Sequence, residues 1–180
     1  MTPARRGFTL WLTGLSGAGK TTVGDGVAAE LERAGKHVER LDGDAVREHL
    51  SAELGFSKED RDVNVARIAW VASRLTRAGA AVVVSAISPY AEARRAARAL
   101  IEAEGDFVEV FVAASVAECA RRDPKGLYDR ALRGELPGFT GITAPYEEPV
   151  SAELRLDTES ETPATSVQRV LEQLRRSKLA

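Results

Sequence analysis

Between Gly14 and Thr21 the chain reads Gly14-Leu15-Ser16-Gly17-Ala18-Gly19-Lys20-Thr21, a fit to the pattern G-x-x-x-x-G-K-[ST]. Glycines in such a turn admit backbone conformations that a Cβ hinders, so successive N–H groups can converge on phosphate oxygens. The pattern predicts that Lys20 reaches the β- and γ-phosphates of ATP and that the Thr21 hydroxyl ligates Mg²⁺. Thr22 continues into a helix whose positive N-terminal end favours the same anion. Farther on, Asp42-Gly43-Asp44 supplies two carboxylates. Beside a triphosphate, one would hold a Mg²⁺-bound water while the other takes a proton from an attacking hydroxyl. An Asp between a strand and a helix also serves as an N-cap, and spacing alone leaves both roles open. Arg47, Arg61 and Arg67 add guanidinium groups whose planar fork suits phosphate or sulfate, although scattered surface arginines are the ordinary expectation.

These groups need a scaffold, and the chain alternates strand and helix signals. Phe8–Leu12 is apolar and β-prone, and Val23, Val27 and Leu31 recur at helical spacing after the glycine-rich turn. A second strand is expected over His37–Leu41, then a short helix through Val46 and Leu50 with a break near Gly55. Ser57–Ala78 reads as a long helix with Ser57 as N-cap and Val63, Ile68, Val71 and Leu75 on its apolar face; Gly79 ends it. Ala80–Ser85 is a buried strand, Pro89 suits the first turn of a helix reaching about Glu104, and Phe107–Val112 is a further strand. A helix from about Ser115 to Arg122, a short strand at Leu154–Leu156 and a helix at Ser166–Leu174 complete the alternation. The implied architecture is α/β: a three-layer P-loop fold with a five-stranded, mostly parallel sheet and helices on both faces. Asp123–Pro149, rich in glycine, proline and charge, is expected to be an irregular lid within a single domain spanning residues 1–180.

A chain of 180 residues can bury a substantial core, and a net charge of -2 gives no support to bulk attraction toward nucleic acid or membrane. One cysteine, Cys119, excludes an intrachain disulfide, and its Ala-rich surroundings suit a buried small hydrophobe. Met1–Gly7 carries Arg5 and Arg6 and runs into the first strand, too short for a signal-peptide core; the cytoplasm is the expected location. The strand Val82–Val84 ends in Ser85, where a motor ATPase would commonly carry an Asp for metal, so a kinase is favoured over a motor.

Several further blocks resemble the adenylylsulfate kinase (APS kinase) family. They are Leu41-Asp42-Gly43-Asp44, Leu54-Gly55-Phe56-Ser57, and Asp60-Arg61 with Asn64 and Arg67. They continue with Ile87-Ser88-Pro89-Tyr90, Arg122-Asp123-Pro124-Lys125-Gly126-Leu127-Tyr128, and Phe139-Thr140-Gly141-Ile142 with Tyr146-Glu147, covering about residues 8–158 in the family's order. The resemblance implies transfer of the γ-phosphate of Mg-ATP to the 3′-hydroxyl of adenosine 5′-phosphosulfate (APS), giving PAPS and ADP in sulfate assimilation, by a homodimeric enzyme. It implies that Lys20, Asp42, Asp44 and Lys125 take part in catalysis, with Asp42 on the metal through water. Arg47, Arg61 and Asn64 would contact APS, and Phe56 and Phe139 would sandwich its adenine, where simple packing is the alternative. Ile87 and Ser88 would border the substrate, and Arg122 would pack on the ATP adenine. Ser88 matches a serine sometimes assigned as a phosphoserine intermediate; Ser88-Pro89 reads equally well as an N-cap and the first helical residue.

Ala66-Arg67 stands where the family usually has two arginines, and Trp70 where a smaller or acidic residue is common. If the missing arginine is a substrate contact, a different nucleotide or small hydroxyl acceptor is the alternative. If it is structural, Trp70 would fill the space. A P-loop module that regulates a partner protein is the non-enzymatic alternative, and the retained Lys20, Thr21, Asp42, Asp44 and lid block oppose it.

Overall fold

Phe8–Thr13 forms β1, with every residue buried. Phe8, Leu10 and Leu12 face one layer while Trp11 faces the other, as the two-residue period of a strand covered on both sides requires. The computed structural model describes residues 7–180, so the expectations for Met1–Arg6 lie outside the described residues. After β1 come α1 (Lys20–Arg33), β2 (Val38–Asp42), α2 (Gly43–Leu50), α3 (Lys58–Arg77), β3 (Ala81–Ser85) and α4 (Ala91–Glu102). β4 (Asp106–Ala113), α5 (Val116–Arg122), α6 (Leu127–Leu132), β5 (Leu154–Asp157) and α7 (Pro163–Arg176) follow.

The five strands lie in the order β2-β3-β1-β4-β5, and every pairing between them is parallel. The connections turn to opposite sides of β1, which opens a crevice at the carboxyl ends of the central strands. One core cluster joins Leu10, Leu12, Val110 and Val112 of the sheet to Val23 and Val27 of α1 and Val170 and Leu174 of α7. The other joins Trp11, Val82, Val84 and Phe107 to Ile68 and Ala72 of α3 and Ala97 and Ile101 of α4. Gly24 brings α1 close to the sheet: a Cβ there would lie 2.7 Å from Ser85 Oγ and 3.0 Å from Leu12 Cδ1. Among the described residues no helix is long and apolar enough to cross a membrane.

Four expectations need correction. The helix expected to begin near Pro89 starts at Ala91 with Tyr90 as N-cap, so Ser88 does not cap it; Ser88 instead has φ 40 and is buried. The segment Asp123–Pro149 is not wholly irregular. It contains α6, whose first turn is held by Asp123 accepting from the N–H groups of Tyr128 and Asp129, each at 3.1 Å. On α3, Ser57 is the N-cap as expected, but Val63 is exposed and the inward face carries Arg61, Asn64, Val65, Ile68, Ala72 and Thr76. Thr76 is buried because its hydroxyl meets that of Thr9 at 2.7 Å, a pairing across 67 residues that helical spacing cannot show. Finally, α7 runs longer than Ser166–Leu174, with Thr162 as N-cap and Pro163 in the first turn.

Candidate active site

The glycine-rich turn leaves β1 at the centre of the sheet. Gly17 (φ 76) and Gly19 (φ 101) both adopt left-handed conformations, which let the turn curl into the start of α1. Lys20 is buried, and its Nζ donates to the carbonyls of Gly14 at 3.0 Å and Leu15 at 2.7 Å. Burial pushes its ammonium down to about 8, against the attraction of Asp44 and Asp42. The turn opens on a cleft of about 1000 Å³. Ser16 to Thr22 line it on one side, with Arg122 above. Gly14 and Leu15, expected in the ATP-binding set, do not line this cleft; their carbonyls instead hold Lys20, and Leu15 borders a smaller groove beside Ala114 and Ile142.

Asp42 ends β2 and combines both roles that spacing left open. Its Oδ1 accepts from the Asp44 N–H at 2.9 Å, capping α2, while its Oδ2 accepts from Thr21 Oγ1 at 2.9 Å. A hydroxyl and a carboxylate oxygen side by side are hard donors of the kind Mg²⁺ takes when phosphates and water complete its shell. Thr21 and Asp42 therefore fit the ion. Asp44, in the first turn of α2, is exposed to the cleft and ion-paired with Lys125 of the segment 123–149.

The opposite part of the cleft is walled by Arg47, Phe56, Arg61, Asn64, Ile87, Ser88 and Phe139. Arg61 donates from Nε to the Phe56 carbonyl at 3.0 Å and from Nη2 to the Gly138 carbonyl at 2.7 Å, so one guanidinium fixes the backbone at both phenylalanines. Phe56 is 59% exposed, with Arg47 and Arg61 over its ring at 4.6 and 5.5 Å. Phe139 is half-buried and packs edge-on against Tyr128 at 4.9 Å. Burial lowers the Arg61 guanidinium, and the nearby Arg47 charge acts in the same direction, so this wall favours an anion. Asn64 Oδ1 and Thr140 Oγ1 are buried with no partner inside the protein, and both residues line the cleft.

Arg67 is separate from this wall. It pairs with Glu53 at 2.6 Å and donates to the Leu50 carbonyl at 2.6 Å, tying α3 to the end of α2. Ala66 and Trp70 are exposed on α3 and do not line the cleft, so Trp70 fills no internal space. Ser88 lines the cleft, but its hydroxyl is engaged: it accepts from Trp11 Nε1 at 3.1 Å and donates to Thr13 Oγ1 at 3.0 Å. Sequence reading missed Thr140 and Thr158. Thr158 lines the cleft beside the turn and donates to the Ala18 carbonyl at 2.8 Å, and Arg122 donates to the Thr158 carbonyl at 2.6 Å. Its place just beyond the carboxyl end of a parallel strand was the available signal.

The family model for adenylylsulphate kinase matches residues 6–157. The chain belongs to this family. It is 54% identical over 169 residues to the adenylyl-sulfate kinase of a Picosynechococcus strain, with 94% of each chain covered. It is 49% identical over 170 residues to the adenylyl-sulfate kinase of Halothermothrix orenii, covering 94% of this chain and 90% of that one. Its fold superposes on the Mycobacterium tuberculosis APS kinase CysC, a structure in complex with AMPPNP and APS, with a TM-score of 0.91 and 44% identity. That match covers 94% of this chain and 98% of that one.

Proposed function

We propose that this kinase-family chain transfers the γ-phosphate of ATP to the 3′-hydroxyl of APS, yielding PAPS and ADP. The observation that carries this reading is one cleft that joins the phosphate-binding turn to Phe56, Arg61, Asn64 and Phe139. The turn's N–H groups and Lys20 hold the triphosphate, and Thr158 and Arg122 border its outer end. Arg47, Arg61 and Asn64 receive the phosphosulfate and ribose of APS, and Phe56 and Phe139 clasp its adenine.

Asp44 takes the proton of the acceptor hydroxyl, and Lys125 leaves Asp44 to neutralise the transferred group. Thr21, with Asp42 through water, would hold Mg²⁺, which would supply neutralisation of triphosphate charge. The lid over residues 123–149 excludes water, the competing acceptor. Transfer is direct, because the Ser88 hydroxyl is spent on Trp11 and Thr13. Ala66 lies outside the cleft and gives no ground for a different acceptor. We place all of this in one domain over residues 1–180, working as a homodimer in the cytoplasm.

ADP release from Mg-ATP is to be measured with APS, with no acceptor and with other nucleotides, and the product identified. APS-dependent turnover to PAPS is expected. ATP binding without APS turnover would overturn the acceptor assignment and favour the regulatory alternative.

A further inference from the structure

Behind the cleft lies a buried group that the reaction as described does not use. Glu109 falls in the middle of the apolar run Phe107-Val108-Glu109-Val110-Phe111 of β4, and Arg94 lies on the inward face of α4; both are buried. Arg94 Nε pairs with Glu109 Oε1 at 3.1 Å. Burial raises the Glu109 carboxyl while the charges of Arg94 and Arg98 oppose that rise. A buried ion pair contributes little net stability compared with a well-packed apolar pair. The distinctive consequence of this one is where the rest of the guanidinium points.

Arg94 Nη1 donates to the Ser88 carbonyl at 2.7 Å, and Nη2 donates to the Glu147 carbonyl at 2.6 Å. Ser88 is a non-glycine residue with φ 40, a conformation that persists only where its surroundings over-determine it. Its hydroxyl is held from the sheet by Trp11 and Thr13, and its carbonyl by Arg94. Glu147 is tied to the same loop twice more, donating from its N–H to the Pro89 carbonyl at 2.8 Å and accepting the Ala91 N–H on Oε2 at 2.7 Å. The next residue along, Tyr90, carries Lys58 of α3 over its ring at 4.9 Å, on the helix that supplies Arg61 and Asn64.

We propose that Arg94 is a positioning residue for the acceptor. Anchored on Glu109, its fork fixes the left-handed Ser88 turn that walls the cleft and clamps it to the downstream end of the lid segment. The inference rests on the proposed function, because it assigns Arg94 to the acceptor side and not to the nucleotide side. A lysine cannot serve Glu109 and two carbonyls in one plane, so charge and geometry can be separated.

The test compares wild type with Arg94→Lys, Glu109→Gln, Arg94→Met and the double variant Arg94→Met/Glu109→Leu. Melting temperature, AMPPNP affinity, and kcat and KM for APS are measured for each. Arg94→Lys is expected to raise KM for APS by about tenfold, the effect of losing a charge-assisted hydrogen bond, with AMPPNP affinity unchanged. Glu109→Gln leaves both carbonyl contacts in place, so it should lower the melting temperature without moving KM. The double variant should regain the stability lost in Arg94→Met and keep its raised KM. KM that follows melting temperature across the series, or a wild-type KM in Arg94→Lys, would overturn the proposal. Wild-type enzyme with no APS turnover would overturn the proposed function and this inference with it; wild-type turnover with unmoved KM would overturn this inference alone.

Discussion

Lys125 Nζ and Asp44 Oδ2 are ion-paired across the mouth of the cleft, joining the segment 123–149 to the first turn of α2. Both side chains are more than half exposed, and exposed pairs of this kind contribute little to stability, so the pair exchanges readily for other partners. The same Asp44 carboxylate is the one proposed to take the proton of the acceptor hydroxyl. In the proposed mechanism, closure with both nucleotides bound moves Lys125 from Asp44 onto phosphate. Asp44→Asn should lower kcat by at least about a hundredfold, the usual range for losing a general base, and leave AMPPNP affinity intact. Near-normal kcat in the folded variant would remove Asp44 from that role.

Asp42 carries a cap on one oxygen and Thr21 on the other. Asparagine caps helices as well as aspartate does, so Asp42→Asn removes charge while keeping the cap. The variant should melt within about 2 °C of wild type, since a retained cap leaves stability nearly unchanged. The Mg²⁺ concentration for half-maximal turnover should rise by about tenfold, the effect of losing one charged oxygen partner. A large drop in melting temperature with an unchanged Mg²⁺ requirement would reduce Asp42 to a cap. Removing Mg²⁺ with a chelator should abolish turnover in both proteins.

Lys20 gives a pH signature. Burial lowers its ammonium from about 10.5 to about 8, so between those values Lys20 binds its proton less in the folded chain than in the unfolded one. Burial pushes the Cys119 thiol and the Tyr128 and Tyr146 hydroxyls up, which acts in the opposite direction from about pH 9 upward. Between about pH 8 and about pH 9, stability of the nucleotide-free protein should therefore rise with pH, as measured by denaturant melts; a fall there would contradict the sign. Triphosphate beside Lys20 favours the charged form, so ATP binding at about pH 8.5 should take up as much as one proton, declining toward pH 7. Calorimetry in buffers of different ionisation enthalpy reads this directly. Binding with no uptake at the higher pH would mean that Lys20 does not meet the phosphates.

How much of this was legible in the chain depends on how local each cause was. The turn from Gly14 to Thr21, the strands at Phe8 and Val82, and the Ser57 cap are set by residues within a few positions of one another, and all were placed correctly. α6 was hidden because Pro124, Gly126 and Gly134 dominate the composition around it, while its stabilising Asp123 looked like one more loop residue. Ser88 was misread as a possible cap because the grip on its carbonyl comes from Arg94, six residues later, and the grip on its hydroxyl from Thr13, 75 residues earlier. The cleft residues were named from family resemblance, whereas Thr140 and Thr158 join the wall only through tertiary packing. Ala66 drew attention as a departure from the family pattern, and only the rotation of α3 shows that it faces away from the cleft.

Ser88 allows the direct and covalent routes of transfer to be separated. Its proton goes to Thr13 Oγ1, and the Thr13 proton goes in turn to the Ile87 carbonyl at 2.7 Å, while Trp11 Nε1 occupies a lone pair of Ser88. Phosphorylation would break this buried chain and place a dianion beside an apolar indole. Ser88→Ala should therefore keep turnover within about tenfold of wild type, as direct transfer requires, and lose about 1–3 kcal/mol of stability, because the Trp11 N–H is left unpaired. Ser88→Gly loses the same hydroxyl but adopts φ 40 without a Cβ, so it should be more stable than Ser88→Ala by about 1 kcal/mol. Denaturant melts and steady-state turnover on the two variants separate the strain from the hydrogen bond. Complete loss of turnover in both folded variants, together with radiolabel from γ-labelled ATP retained on wild-type Ser88, would establish the covalent route instead.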